Sequence, residues 1–154
     1  MQYFTLSWWM GYSEMTDDQP LRLYAEHFEH IRHSLPRDLT ATYDVVSLHD
    51  SHLRQLDIDV EAGLLRVQLD AINAQGKRWR ILMTYLGLQS FHSQGDPKVG
   101  LAGPHGYGDL GYEEIGIAKD GSLEHRLLFS NGIEMAIRFR DFRLESQNEE
   151  AGCS

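Results

Sequence analysis

The sequence has a single cysteine, Cys153, among its 154 residues. An internal disulfide needs two cysteines, so a disulfide-stapled fold is excluded and a reducing compartment is expected. No apolar run approaches the roughly 20 residues that a membrane helix needs. Residues 1–10 also lack the basic start and the small-residue cleavage site of a signal peptide. We therefore expect a cytoplasmic protein without a membrane partner.

Basic residues are scarce as well. The chain has 14 Lys and Arg against 23 Asp and Glu, which gives a formal net charge of −9 at pH 7. Because phosphate contacts need clustered Lys and Arg, this balance argues against nucleic acid as a partner. An acidic surface does suit a basic protein partner. The G-x-S-x-G nucleophile motif of many hydrolases is also missing.

The length and the hydrophobic fraction of 42% fit one domain with a core of its own. We expect a single α+β domain over 1–145. The polar residues 146–154 predict a disordered tail, because such a segment has little apolar surface to bury.

The most regular part of the sequence is a series of three alternating runs near its end. Apolar and polar residues alternate over 112–118, 122–129 and 133–139, which predicts three antiparallel strands. The connections 119–121 and 130–132 each carry glycine in third place. This arrangement is typical of a three-residue hairpin loop that ends in the left-handed region.

The length of these loops determines which residues face each other. A two-residue turn would put Ile117 opposite Glu124 and bring the apolar faces out of phase, so the three-residue loop is favoured. Ile115 then lies opposite His125, and Glu113 becomes a diagonal neighbour of this histidine on the apolar face. Such a pair is either structural or part of an acid–base site. Glu113 and His125 are therefore candidate catalytic residues.

The first third of the chain predicts one short strand followed by helix. Residues 3–9 alternate and predict an opening strand, whereas 16–35 carry an apolar stripe at helical spacing. Thr16 belongs to a capping box at the start of this helix, and Pro36 ends it. The next segment fits a second, short helix, although its β-branched residues over 39–47 fit a strand equally well.

Two histidines and an aspartate follow at His49, Asp50 and His52. These side chains carry the atoms of a metal site or of an acid–base pair, since an aspartate can orient a histidine. The alternative is a polar turn in which Asp50 caps backbone amides. All three are candidate metal ligands, and His49 and Asp50 are also candidate catalytic residues. We expect no cofactor unless a divalent metal binds here.

The middle of the chain is rich in β-strand signals. Alternating residues predict strands over 56–60, 65–71 and 79–85. In the last part of the chain, the apolar parity changes after Phe139, which predicts a β-bulge at 140–141.

A glycine-rich segment, 93–111, predicts a long loop. Its residues His105 and Tyr107 are candidate ligand contacts, because loops often carry binding residues. The run from Gly106 to Gly111 matches the dinucleotide-binding glycine pattern as text. That pattern works at the start of a helix, whereas the next run here predicts a strand. Nucleotide binding is therefore not expected.

Several short motifs occur in a recognisable order along most of the chain. They are Tyr3-Phe4-Thr5 with tryptophan nearby, Leu35-Pro36, Leu48-His49-Asp50, the run from Gly108 to Ile115, His125, and the run from Arg138 to Phe142. This order resembles an uncharacterised family of small bacterial cytoplasmic proteins, some of whose members look like immunity-type proteins near secreted toxins. The resemblance implies a small binding protein and assigns no catalytic residue.

Together these patterns predict an α+β fold with one main N-terminal helix. At 39–47 a second, short helix and a strand remain alternatives. The helical part packs on an antiparallel sheet of about seven strands, with a curled half-barrel as one alternative for its shape. The first predicted function is a non-enzymatic protein-binding or immunity-type domain with an acidic surface. The second is a small metal-dependent or acid–base hydrolase, if the His49, Asp50 and His52 side chains converge with Glu113 and His125.

Overall fold

The computed structural model describes residues 1–15, 18–72, 75–95 and 106–148. The predicted α+β class is confirmed. No helix in these ranges combines the length and the apolar character needed to cross a membrane. The helices are α1 (Leu6–Trp9), α2 (Gln19–Ile31) and α3 (Arg37–Asp44). The strands are β1 (His52–Asp59), β2 (Leu64–Ile72), β3 (Arg78–Leu86), β4 (Ser90–Gln94), β5 (Leu110–Ile117), β6 (Leu123–Phe129), β7 (Glu134–Phe139) and β8 (Asp141–Asn148).

The strands form two sheets. Sheet A has the order β1-β2-β3-β8 and sheet B the order β4-β7-β6-β5, and every pairing is antiparallel. The strands are antiparallel as predicted, but the described residues contain eight strands in two four-stranded sheets, whereas about seven strands in one sheet were predicted. Side chains from both sheets and from the helices meet in one hydrophobic core.

The chain crosses between the sheets at two neighbouring points, after β3 and after β7. The crossings are hydrogen-bonded to each other: the Gln89 N–H donates to the Arg138 carbonyl at 2.8 Å, and the Arg140 N–H donates to the Leu86 carbonyl at 2.9 Å. The change of apolar parity that predicted a bulge at 140–141 marks this crossing instead. A strand that leaves one sheet for another must present a different face to the core.

The β5–β6–β7 meander has the predicted register. Ile115 lies opposite His125, and His125 lies opposite Ile137. Gly121 and Gly132 have φ angles of +82° and +80°, as the three-residue loops require.

The predicted opening strand over 3–9 is wrong, because its second half is helix α1. The Thr5 hydroxyl accepts a hydrogen bond from the Trp8 N–H at 3.2 Å and so caps this helix. The carboxylate of Glu114, on β5, holds the residues before it. It accepts backbone N–H hydrogen bonds of 2.6–2.8 Å from Gln2, Tyr3 and Phe4. These amides have a carboxylate partner where a strand would have a neighbouring strand.

Helices α2 and α3 cover the outer edges of β5 and β8, where each sheet would otherwise expose unpaired backbone groups. The Tyr24 hydroxyl accepts a hydrogen bond from the Ile115 N–H at 2.8 Å. His27 Nε2 lies 3.0 Å from the Ile115 carbonyl oxygen. On the other edge, Asp38 accepts a hydrogen bond from the Leu144 N–H at 3.0 Å. Helix side chains thus take the place of a further strand.

The helix boundaries agree in part with the sequence. α2 ends at Ile31 and continues as a 3-10 turn over Arg32–Ser34, so the helix predicted to Leu35 stops earlier. At 39–47 the helical alternative is correct as far as Asp44. The predicted capping residue Thr16 lies outside the described residues.

Two segments predicted as irregular contain strand. β4 (Ser90–Gln94) takes up the start of the predicted 93–111 loop, and most of the remaining loop lies outside the described residues. β8 runs to Asn148 and pairs with β3, so the strand extends past the expected start of the tail at 146.

Gly111→Ala tests the close packing of α1 on β5. A Cβ at Gly111 would lie 2.3 Å from the ring of Trp9, so the tryptophan must move away. We expect a loss of about 2 kcal/mol in the free energy of unfolding, as for other overpacked sites, measured by urea denaturation. Gly116→Ala is the matched control on the same strand, because its Cβ would meet nothing closer than 3.9 Å. Equal unfolding midpoints for the two variants would contradict this packing constraint.

Candidate functional site

Three hydrogen-bonded polar side chains, two of them fully buried, join the two sheets. His125, on β6, has no exposed surface. Its Nδ1 lies 2.8 Å from the hydroxyl of Tyr85 on β3, and its Nε2 lies 2.5 Å from a carboxylate oxygen of Glu113 on β5. The side chain of Glu113 is 13% exposed. The predicted neighbours Glu113 and His125 therefore form a hydrogen-bonded pair, with Tyr85 as a third member.

The Tyr85, His125 and Glu113 side chains can all be hydrogen-bonded whether the imidazole ring is neutral or protonated. With a neutral imidazole, Nε2–H donates to Glu113 and the Tyr85 hydroxyl donates to Nδ1. With an imidazolium, both ring N–H groups donate, and the Tyr85 hydroxyl can turn to the sulfur of Met83 at 3.7 Å. Both ring nitrogens and the Tyr85 hydroxyl therefore have a hydrogen-bond partner with either form of the imidazole ring.

Burial and the Glu113 carboxylate together raise the pKa of two tyrosines. Burial raises the pKa of Tyr85 well above its ordinary value of 10.0, and the negative charge of Glu113 raises it further. The same two causes raise the pKa of Tyr24, although the hydrogen bond from the Ile115 backbone lowers it in part. Both phenols therefore stay protonated and serve as neutral hydrogen-bonding groups.

Glu113 also lines a pocket of about 320 Å³ that opens between α2, α3 and the start of β5. We call it the acidic pocket. The lining residues used below are Tyr24, Tyr43, Tyr112, Asp44, His49 and Glu113. Two of the aromatic side chains contact other rings. Tyr112 stacks on Phe4 with 4.9 Å between the ring centroids, and the ring centroids of Tyr43 and Phe28 are 4.2 Å apart. Ring contacts with buried phenylalanines therefore position two aromatic walls of the pocket.

The two carboxylates of the acidic pocket have different surroundings. Asp44 receives two hydrogen bonds from the guanidinium of Arg32, which balances its charge. Glu113 is hydrogen-bonded to His125, and no Lys or Arg among the described residues lines the pocket. Glu113 is thus the carboxylate left to interact with a ligand.

The histidine cluster predicted at 49–52 divides into two separate pairs. His49 Nδ1 lies 3.0 Å from Asp50, and His52 Nδ1 lies 3.0 Å from Asp109. In the part of the chain that the structure describes, no three His, Cys, Asp or Glu side chains are grouped to hold a metal. The structure therefore does not bring His49, Asp50 and His52 together as the predicted metal site.

Backbone hydrogen bonds place His49 at the acidic pocket. The Asp50 N–H donates to the Leu110 carbonyl, and the Leu110 N–H donates to the Ser51 carbonyl, both at 2.8 Å. These bonds fix the segment to the start of β5, and the His49 ring meets Tyr112 edge-on at 5.9 Å. Of the five residues predicted to converge, His49 and Glu113 share the pocket and His125 stands behind Glu113. Asp50 and His52 do not line this pocket, although Asp50 contacts His49.

The glycine-rich loop carries the predicted ligand contacts Tyr107 and His105. Tyr107 packs edge-on against Phe129 with 5.6 Å between the ring centroids, and its carbonyl accepts a hydrogen bond from the Asn131 N–H at 3.4 Å. His105 lies outside the described residues.

Sequence reasoning missed the tyrosines of the site. Alternation over 79–85 puts Tyr85 on the inner face of the predicted strand, and Tyr24 belongs to the apolar stripe over 16–35. Neither pattern shows that a residue hydrogen-bonds across to another sheet. A tyrosine at an inward position is a usable signal, because a buried hydroxyl needs a partner.

Comparison with known proteins gives no family for this chain. No protein-family model matches it, and no curated protein sequence is significantly similar to it. The resemblance to immunity-type proteins therefore stays a prediction.

His125→Ala tests the buried chain. Removing the imidazole leaves Glu113 and Tyr85 without their shared partner, so we expect a loss of about 3 kcal/mol in the free energy of unfolding. His92→Ala makes the same change at an exposed site on β4 and should alter stability by less than about 0.5 kcal/mol. Urea denaturation measures both. A small effect of His125→Ala would show that the hydrogen bonds of His125 with Tyr85 and Glu113 contribute little to the free energy of unfolding.

Tyr24→Phe tests the raised pKa through the pH dependence of stability. Above the ordinary tyrosine pKa of 10.0, the unfolded chain loses the phenol proton and the folded protein keeps it. The stabilisation from each such tyrosine is therefore fully present below this pH. Above it, the free energy of unfolding falls by about 1.4 kcal/mol per pH unit for each tyrosine. Urea denaturation of Tyr24→Phe should show a shallower fall. Tyr12→Phe, at an exposed tyrosine, is the control, and equal slopes for both variants would contradict the expectation.

Proposed function

We propose that the protein is a non-enzymatic binding domain whose acidic pocket receives a basic side chain of a protein partner. The observation that carries this proposal is the Glu113 carboxylate, which is held in place by His125 and has no Lys or Arg beside it among the described residues that line the pocket. A cationic group from a partner would supply the missing counter-charge.

The size and the walls of the pocket suit such a group. A volume of about 320 Å³ is ample for one Lys or Arg side chain. The rings of Tyr24, Tyr43 and Tyr112 line the same space. A cation over a tyrosine ring gains roughly 0.5–2 kcal/mol, more as water is excluded. A charge pair next to aromatic walls is also stronger than one in bulk water.

The charge of the whole chain supports the same proposal. A net charge of −9 attracts a basic partner over a distance and speeds its association. A binding role of this kind requires affinity for the partner and no turnover. The proposal therefore includes an immunity-type role in the cytoplasm, on the strength of the sequence resemblance and the single cysteine.

Titration with butylguanidinium, followed by heteronuclear NMR, tests the pocket directly. We expect saturable shifts at the amides of Gly111, Tyr112 and Glu113, with a dissociation constant on the order of 1 mM for so small a probe. Glu113→Gln should weaken binding at least about tenfold. The amide oxygen of glutamine can still accept the His125 hydrogen bond, so the fold is kept.

Glu145→Gln is the matched control, since it makes the same charge change on β8 outside the acidic pocket. It should leave binding unchanged at physiological ionic strength, where distant charges are screened. Equal weakening by both variants would mean that the probe responds to overall charge, and the proposed pocket would fail.

A second candidate function is acid–base hydrolysis in the same pocket. The observation in its favour is the Tyr85–His125–Glu113 chain, which could orient Glu113 as a general base and accept a proton at His125. Turnover of nitrophenyl esters or glycosides that is lost in Glu113→Gln would favour this function over binding alone.

A further inference from the structure

A second pocket, of about 420 Å³, lies next to the acidic pocket. We call it the apolar pocket. Most of its lining is aliphatic or aromatic: Val45, Val46, Ala71, Ile72, Trp79 and Ile81. Asp50, the one carboxylate among the described residues that line it, is already paired with His49.

The two pockets share one wall. Val45, Ser47 and His49 line both of them, so a single chain segment after α3 separates the two spaces. A ligand group in one pocket is therefore a close neighbour of a group in the other.

Two apolar side chains stand exposed at the apolar pocket. Val45 is 80% exposed and Ile72 is 65% exposed. Single exposed aliphatic residues are common on protein surfaces. Here, however, both line the same concave space, where a large apolar side chain would remove them from water.

We propose that the two pockets together bind one extended segment of the partner, with a basic side chain in the acidic pocket and a large apolar side chain in the apolar pocket. This inference rests on the proposed function and adds the partner's chemistry. The Glu113 carboxylate selects the charge of the first side chain, and the apolar lining selects the second.

The shared wall favours two residues that are close together in the partner sequence. In an extended segment, residues two positions apart point to the same side and lie roughly 7 Å apart. This separation spans one intervening chain segment such as the wall after α3.

Three synthetic peptides with blocked ends test the inference. The parent carries one arginine among glycines, and the other two carry a leucine two positions before or two positions after the arginine. Affinities are measured by heteronuclear NMR titration. We expect one leucine peptide to bind about tenfold more tightly than the parent, because a buried leucine side chain contributes on that scale.

Variants then locate the gain. Ile72→Ser changes a residue that lines only the apolar pocket, and it should cut the leucine gain at least about threefold while leaving the parent peptide unchanged. Val60→Ser is the matched control, at a valine that is 87% exposed and lines neither pocket. Glu113→Gln should weaken all three peptides.

The outcomes separate this inference from the proposed function. If the parent binds and neither leucine adds affinity, or if the gain survives Ile72→Ser, the apolar pocket is not part of the site and only this inference fails. If no peptide binds, the proposed function fails with it. Analytical ultracentrifugation supplies the last arm: a dimer that dissociates in Ile72→Ser and not in Val60→Ser would assign the apolar pocket to a second copy of this chain.

Discussion

A fully buried imidazole has two ring nitrogens to satisfy, and the arrangement of this protein depends on how His125 does so. One nitrogen contacts Tyr85 on sheet A and the other contacts Glu113 on sheet B. The two sheets must therefore approach closely enough for a hydrogen bond, with β3, β6 and β5 in a defined order across the core. A buried polar group without a hydrogen-bond partner lowers the stability of the folded state. The hydrogen bonds of His125 therefore favour the one packing of the two sheets in which both are formed.

The acidic pocket follows from the same constraint together with the way the sheet edges are covered. Helix α2 lies against β5 through Tyr24, whose hydroxyl reaches the Ile115 backbone. Helix α3 lies against β8 through Asp38. The space left between the helices and the start of β5 is lined by Glu113, which His125 holds in place. The site is thus built from the side chains that close the fold.

Local patterns predicted local structure well. The register of the β5–β6–β7 meander, and with it the Glu113–His125 pair, followed from loop length and alternation alone. The crossing after Phe139 was not predictable, because a parity change looks the same for a bulge and for a change of sheet. Nor could the sequence show that the amides of residues 2–4 bind Glu114, which lies on a distant strand. Contacts of this kind depend on the assembled sheets.

The closing contacts join residues that are far apart along the chain. Phe4 and Glu114 are 110 positions apart, Tyr24 and Ile115 are 91 apart, and the Asp38 side chain reaches a backbone amide 106 positions away. Each closes a large loop, which costs chain entropy before any contact forms. Proteins dominated by such pairings fold slowly. The speed of folding, and with it the time during which apolar strands stay open to aggregation, is therefore set by the same bonds that hold the finished structure together.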